Sequence, residues 1–151
     1  MPRRMCLSAM LVLVALAAAP GYGADKAVGA LRTVIGGVIV ERGGARIAAL
    51  PGMALYEADR IVTRSDGSAG ISLQDDTLLA LGPSSHLAID RFVFDHGAGS
   101  GLFESTLGKG TLAVIAGKVA KRAPETMKLR TPNAILGVRG TEFVVEVDAR
   151  H

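Results

Sequence analysis

Ser84, Ser85 and His86 are three consecutive residues of the types that nucleophilic catalysis uses. A serine nucleophile needs a histidine as general base and a carboxylate that orients the histidine. Asp90 follows His86 at a spacing that places both side chains on one face of a strand. We expect no catalytic role, because a histidine at the start of a strand is far more often solvated than catalytic, and a motif without structural context is weak evidence.

Metal ligands are also sparse in this sequence. His96 follows Asp95, and Asp75 precedes Asp76, but neither pair supplies three or four converging ligands. Adjacent acidic residues usually serve turn chemistry, which leaves only a loose calcium contact at the surface open. The single cysteine, Cys6, lies in the predicted leader. We therefore expect no metal site and no cofactor.

Arg139 is the charged residue that is hardest to explain as a surface group. It lies in the stretch Thr131 to Val147, where polar residues and glycines interrupt apolar sequence. A guanidinium in such a setting needs carboxylate or carbonyl partners, for which Asp59 and Glu142 are candidates. We favour a structural role, in which Arg139 cross-links turns of the fold, over ligand binding, because buried ions must be paired.

Two glycines, Gly137 and Gly140, flank this arginine. We expect both either to adopt positive φ angles or to approach a neighbouring strand closely. The residues from Thr141 to Val147 then alternate between apolar and other side chains, which predicts a strand.

The elements that must position these residues are short strands. Apolar segments recur at intervals of roughly 8 to 12 residues with turn residues between them, as in all-β sandwiches and solenoids. No strict sequence period identifies solenoid coils. The predicted fold class is therefore all-β, with many short strands that form a β-sandwich or a β-solenoid-like single domain. The predicted strands are residues 34–40, 59–64, 68–73, 77–81, 86–94, 101–107, 110–117, 127–131, 134–138 and 141–147.

Two connecting segments have local signatures. Asp66-Gly67 stands between two alternating runs and predicts a hairpin with a type I′ turn, which needs positive φ at both central residues. The run from Gly117 to Lys128 contains four Lys or Arg residues and Pro124. We favour a solvated connecting loop over a basic arm for this run, because charge runs usually mark solvated faces.

The N-terminal residues predict export. Arg3 and Arg4 precede the apolar run Leu11 to Ala19, and Pro20 and small residues follow, which is the pattern of a secretory signal peptide. We expect residues 1–23 to be cleaved and the protein to be periplasmic. The alternative is an uncleaved anchor, for which the apolar run has roughly half of the ~20 residues that a bilayer span needs. Loss of two of the 17 basic residues against 14 acidic ones reduces the net charge of +3 to about +1. Such a balance gives no electrostatic basis for nucleic-acid binding.

Four segments in order resemble the FecR domain of exported bacterial proteins. They are Ala58-Asp59-Arg60-Ile61-Val62-Thr63, Asp66-Gly67-Ser68, Leu81-Gly82-Pro83 and the block Thr131 to Thr141. The resemblance implies a domain over residues 50–147, which the N-terminal strands of residues 24–49 lead into and a tail of residues 148–151 follows. The family positions that we take as structural or interaction candidates are Asp59, Thr63, Asp66, Gly67, Thr131, Pro132, Gly137, Arg139, Gly140 and Thr141.

The resemblance implies signalling through protein contacts. The named member of the family is a membrane-spanning sensor that receives a signal from an outer-membrane iron-siderophore transporter and controls a sigma factor. Only Met1 to Met10 precede the apolar run here, so we expect no cytoplasmic anti-sigma region and no transmembrane helix in the mature chain. The expected function is a non-enzymatic sensory or adaptor module that binds an envelope protein. The alternative is a protein that binds a small ligand or an envelope glycan, for which a concave polar pocket would be required.

Overall fold

The computed structural model describes residues 26–137 and 140–148, which form twelve strands and one short helix. The elements are β1 (Gly29–Ile35), β2 (Val38–Arg42), β3 (Ala45–Ala48), β4 (Ala54–Leu55), β5 (Arg60–Thr63), β6 (Ser68–Leu73), β7 (Leu78–Leu81), β8 (His86–Asp95), β9 (Ser100–Ile115), α1 (Lys118–Arg122), β10 (Met127–Arg130), β11 (Ile135–Gly137) and β12 (Glu142–Val147), with a 3-10 turn at Pro124–Thr126. The all-β prediction is confirmed.

The strands form two sheets, and β9 belongs to both of them. Sheet I contains β4, β1, β6, β7, the C-terminal part of β9 and β12. Sheet II contains β3, β2, β5, β8, the N-terminal part of β9, β10 and β11. Among the described residues, β9 with β10 is the parallel pair and the other pairs are antiparallel. This pairing favours a sandwich made by one curled sheet, because the coils of a β-solenoid stack in parallel.

One apolar core lies between the two sheets. Alternate side chains of the strands point into it, since successive residues of a strand face opposite sides. Sheet I contributes Leu31, Ile71 and Leu81, while sheet II contributes Ile61 and Phe103, and all of them are almost fully buried. The strands before residue 50 share this core, because β1 lies between β4 and β6 and β2 lies between β3 and β5.

Strand β9 joins the sheets by means of a bulge. Leu107 and Leu112 both face the core, although five positions separate them and strict alternation would point them to opposite faces. The pairing with β8 skips Gly108, and Gly110 has φ +97°, so the strand bends without exposing its apolar side. The prediction of separate strands at 101–107 and 110–117 is therefore wrong; they are one bent strand.

The predicted hairpin at Asp66-Gly67 is also wrong. A turn is present, because the amide of Gly67 donates to the carbonyl of Arg64 at 3.0 Å. However, β5 and β6 on either side of it do not pair with each other and lie in different sheets. Asp66 occupies a central position of the turn without positive φ, and Gly67 follows where a Cβ would overlap the carbonyl of Gly37. The turn therefore carries the chain between sheets.

The predicted strand 34–40 divides in the same way. Gly36 and Gly37 separate β1 from β2, and these strands lie in sheets I and II respectively. The carbonyl of Gly37 accepts a hydrogen bond from the amide of Arg64 at 2.8 Å, so the two crossings lie side by side. Apolar periodicity alone could not reveal this division.

The basic run is not a simple loop. Residues Lys118–Arg122 form α1, in which Val119 and Ala120 are buried. Lys118, Lys121 and Arg122 are exposed, as solvation of the charges requires. The helix contributes buried side chains to the interior, which the charge pattern did not predict.

Candidate functional site

Asp59 is the centre of a partly buried ion pair. The Asp59 side chain is 1% exposed and that of Arg42 is 36% exposed. Arg42 donates from Nε to Oδ1 at 2.8 Å and from Nη2 to Oδ2 at 2.6 Å, and the amide of Tyr56 donates to Oδ2 at 2.9 Å. The hydrogen bond to Asp59 raises the pKa of Arg42 above its ordinary value. Asp59 therefore fastens β2 to the segment before β5.

The guanidinium of Arg42 makes two further contacts. Its Nη2 donates to the carbonyl of Ala54 at 3.0 Å, and its Cζ lies 4.7 Å from the centre of the Tyr56 ring. The carboxylate of Asp59 is thus fully engaged within the described residues. Arg139, for which Asp59 was a predicted partner, lies outside the described residues, and Glu142 is exposed on β12.

Ala58 adopts a backbone conformation that favours glycine. Its φ is +69°, and the amide of Ala58 donates to the carbonyl of Ile89 at 2.8 Å. The amide of Ile89 donates in return to the carbonyl of Asp59 at 2.9 Å. Alanine at positive φ is strained, because its Cβ comes too close to the neighbouring carbonyl oxygen.

We expect Ala58→Gly to stabilise the protein. Relief of the left-handed strain, about 1–2 kcal/mol, exceeds the added chain entropy of glycine, so the net gain is about 0.5–1 kcal/mol. Urea unfolding followed by circular dichroism measures the change. Ala80→Gly on the exposed side of β7 is the control, and it should destabilise because glycine weakens a strand. A loss of stability in Ala58→Gly would contradict the prediction.

Thr63 and Ser85 form a second buried polar cluster. The hydroxyl of Thr63 donates to the carbonyl of Gly82 at 2.6 Å and accepts from the amide of Ser85 at 2.9 Å. The hydroxyl of Ser85 donates to the carbonyl of Pro83 and accepts from the amide of Thr111, both at 3.0 Å. These bonds hold β5, the turn before β8 and the bend of β9 together.

The residue types of a catalytic triad are therefore not assembled into one. The Ser85 hydroxyl is buried and committed to backbone groups, and Asp90 accepts a hydrogen bond from Thr106 at 2.6 Å. In the part of the chain that the structure describes, no hydrogen bond joins His86 to Ser85 or to Asp90. Burial lowers the pKa of His86, and the charges of Lys109 and Arg60 lower it further.

The block that starts at Thr131 is mostly exposed. Thr131 and Ala134 close a turn between β10 and β11, because the amide of Thr131 donates to the Ala134 carbonyl at 2.8 Å and the amide of Ala134 donates to the Thr131 hydroxyl at 3.1 Å. Pro132 lies within this turn. Thr141 is exposed, and its carbonyl accepts a hydrogen bond from the amide of Ala116 at 2.7 Å.

The two glycines of the block differ. Gly140 has φ +101°, which confirms the prediction of positive φ. Gly137 lacks positive φ, and no atom in the part of the chain that the structure describes lies within 4 Å of the position that its Cβ would take, so the expectation of a special backbone is wrong there. Arg139 between them is outside the described residues, and its cross-linking role stays a prediction.

Asp75 has the turn role that the sequence analysis predicted for it, and it also makes a distant contact that the sequence analysis missed. It is fully buried, and its carboxylate accepts from the amide of Thr77 at 3.1 Å, the hydroxyl of Thr77 at 2.8 Å and the amide of Val119 at 3.1 Å. The neighbouring Asp76 is exposed and pairs with Lys118 at 3.3 Å. Asp followed two residues later by Thr is a turn signal, but the contact with Val119 spans 44 positions and has no local signature.

The remaining acidic candidates also serve turns. Asp95 accepts from the amides of Gly97 and Ala98 at 2.9 and 3.2 Å. Within residues 26–137 and 140–148, no three His, Cys, Asp or Glu side chains converge as a metal site would require.

The surface of the described residues has several open clefts. A cleft of about 380 Å³ is lined by Glu41, Arg46 and Arg60, whose charges approach one another, with Arg46 3.3 Å and Arg60 4.0 Å from Glu41. Another of about 460 Å³ is lined by apolar side chains including Phe92 and by the polar side chains of Lys26, Gln74 and His96. Both are open to solvent.

Comparison with known families decides the relationship that the motifs indicate. The family model described as FecR protein matches residues 59–151, which is more than half of the chain. The chain belongs to the FecR family. The match starts at Asp59, so the FecR region includes the Thr63–Ser85 cluster and Asp59 itself, but not Arg42, which lies in β2 among the unmatched strands β1 to β4. Neither the curated proteins nor the solved structures contain a match to this FecR-family chain.

The membrane question has a limited structural answer. Within the described residues of this FecR-family chain, no helix combines the length and the apolar character that crossing a bilayer requires.

Proposed function

We propose that this protein is a non-enzymatic protein-interaction module of the cell envelope, which acts as a sensor or an adaptor in the periplasm. Membership of the FecR family supports a signalling or sensory role. The sequence pattern of residues 1–23 supports export. The partner is a protein of the envelope.

One structural observation carries the proposal. Asp59, Thr63, Asp75 and Ser85 are buried, and their polar atoms bond to groups of the fold. Among the described residues, no buried side-chain nitrogen or oxygen atom lacks a hydrogen-bond partner. A pre-formed small-molecule site places a few polar groups toward its ligand. In this domain the buried polar groups form hydrogen bonds within the protein. A partner is therefore recognised by the surface and by the backbone groups of exposed strand edges.

The small-ligand and glycan alternative has weaker support. It required a concave pocket lined by polar groups, whereas the interior is filled by apolar side chains and the clefts beside Glu41 and Phe92 are open to solvent. Flat surfaces and strand edges suit protein partners better than small molecules.

Native crosslinking tests the proposed function. The mature chain from Ala24 onward, with a C-terminal tag, is crosslinked in periplasmic and outer-membrane extracts, and captured proteins are identified by mass spectrometry. We expect one protein to be captured repeatedly and to be displaced by an excess of untagged chain. Heat-unfolded chain is the control for sticky capture. Repeated failure to capture a displaceable partner would remove the proposal.

A further inference from the structure

Strand β12 presents an open edge of sheet I. It pairs with β9 on one side, from Glu142 opposite Ile115 to Val147 opposite Gly110. No strand of residues 26–137 or 140–148 pairs with its other side. The strand is held in place, because Phe143, Val145 and Val147 pack against the core. Its unpaired edge is therefore a fixed template for another strand.

The backbone register shows which groups this edge offers. In an antiparallel pair, residues alternate between those whose N–H and C=O bond to the partner strand and those whose groups point away. The Thr141 carbonyl accepts from the Ala116 amide at 2.7 Å, so residues 143, 145 and 147 bond toward β9. The N–H and C=O groups of Glu142, Val144 and Glu146 therefore point to the open edge.

The side chains of the same three residues define what this edge recognises. All three are exposed, with Val144 at 65%. The charged residues between Gly140 and Asp148 are Glu142, Glu146 and Asp148, and all are acidic. Glu142 and Glu146 lie on one face about 13 Å apart, with Val144 midway. An added strand meets both carboxylates if it has basic residues four positions apart and an apolar residue between them.

The outer face of sheet I beside β12 consists of small and apolar residues at the positions that neighbour the two glutamates. Across the strands, Val144 is opposite Ala113, Ala113 is opposite Ala80, and Ala80 is opposite Gly70. Leu78 and Ile115 are paired on the same face and are partly exposed. The small and apolar residues leave the two glutamates as the charged groups of this outer row of β12, so attraction for basic side chains is concentrated at the edge.

A second copy of this chain fits the edge poorly. The antiparallel register centred on Val144 pairs residues 142–146 of the two copies and places Glu142 opposite Glu146 of the other copy twice. Like charges directly opposite each other destabilise a strand pair. The acidic pattern therefore favours a different chain with complementary charge.

We propose that the open edge of β12 binds an extended segment of a protein partner by strand addition, and that this segment carries Lys or Arg, then an apolar residue, then Lys or Arg at alternate positions. This inference rests on the proposed function and defines the chemical class of its partner. Backbone hydrogen bonds supply affinity, and the alternating side chains supply specificity.

A labelled peptide tests the charge pattern. The probe is a fluorescein-labelled peptide slightly longer than β12, with Lys, Val and Lys at alternate central positions, and the control peptide has Glu in place of both Lys. Anisotropy titration with the mature chain should give about tenfold tighter binding of the Lys peptide, because two attractive cross-strand pairs replace two repulsive ones. The preference should weaken with added salt. Equal affinities, or no binding of the Lys peptide, would overturn the proposal.

Variants of β12 test the location. Val144→Pro removes an outward N–H and leaves the bonds to β9 intact, so we expect the peptide affinity to fall at least tenfold without loss of the folded circular dichroism spectrum. The double change Glu142→Lys and Glu146→Lys should reverse the preference toward the Glu peptide, and it keeps the test valid if the proline variant does not fold. Glu125→Lys, on the 3-10 turn away from β12, is the matched control and should preserve the preference.

The same charge-reversed variant separates this inference from the proposed function. If crosslinking captures the same partner with wild type and with the double variant, the partner binds elsewhere and the β12 proposal fails while the proposed function stands. If the Lys peptide binds with the predicted reversal but no envelope protein is captured, the edge stands and the proposed function fails. Formation of a dimer that Val144→Pro abolishes would identify a second copy as the occupant and overturn the proposal.

Discussion

Arg42→Ala lowers the free energy of unfolding by about 3 kcal/mol, which corresponds to a fall of roughly 10 °C in the midpoint of thermal unfolding for a domain of this size. The loss of stability comes from Asp59, which keeps its buried position after Arg42 is removed. Asp59 is 1% exposed and loses both hydrogen bonds from the guanidinium, so its carboxylate stays buried without a counter-ion. The partial exposure of Arg42 keeps the expected cost at the lower end of the range for a broken buried pair.

A second arginine in the same region provides the control for this change. Arg46 pairs with Glu41 at 3.3 Å, and the Arg46 side chain is 70% exposed. Exposed pairs of this kind contribute little, so Arg46→Ala should change the free energy of unfolding by less than about 0.5 kcal/mol. Urea unfolding of both variants measures the contrast. Similar values for the two would show that Asp59 does not depend on Arg42 for its stability.

Gly110→Ala destabilises the protein by about 3 kcal/mol or more, because two costs coincide at this residue. The φ of +97° is strained for alanine by about 1–2 kcal/mol. A Cβ at Gly110 would also overlap the side chain and the Cα of Ser85, which is buried and bonded to Thr111. Overpacking of this kind costs a further 1–3 kcal/mol or so.

Gly140→Ala separates the two costs. Gly140 has a similar φ of +101°, but no atom of the described residues lies within 4 Å of the position that its Cβ would take. We expect only the strain of about 1–2 kcal/mol in this variant. The two are compared by urea unfolding, and a crystal structure of Gly110→Ala should show displacement of Ser85. Equal losses would mean that the contact with Ser85 relaxes without cost and that the bend of β9 tolerates a side chain.

Residues of two FecR motifs have structural roles in the core. Asp59 and Thr63 from the first motif, with Gly82 and Pro83 from the third, make hydrogen bonds that join strands and turns of the core. The surface that we propose for recognition is instead the edge of β12, at the end of the last motif.

The sequence by itself determined the two-residue alternation within strands and the all-β fold class. Alternation of side chains located β6 at residues 68–73, and it predicted residues 141–147 for β12, which spans residues 142–147. Both followed from local sequence because burial of one face gives a strand a two-residue pattern. Ordered motifs were enough to identify the FecR family. Positive φ at Gly140 also followed from local sequence.

The tertiary structure alone decided which strands pair and which polar groups meet. The Asp66-Gly67 turn has the sequence of a hairpin, yet β5 and β6 separate into two sheets. Arg42 meets Asp59 across 17 positions, and Asp75 meets Val119 across 44. Local sequence propensity cannot predict contacts between residues so far apart in sequence, since these contacts form only when the two sheets close over one core. The open edge of β12 is decided in the same way, because an edge exists only after all other strands have found their partners.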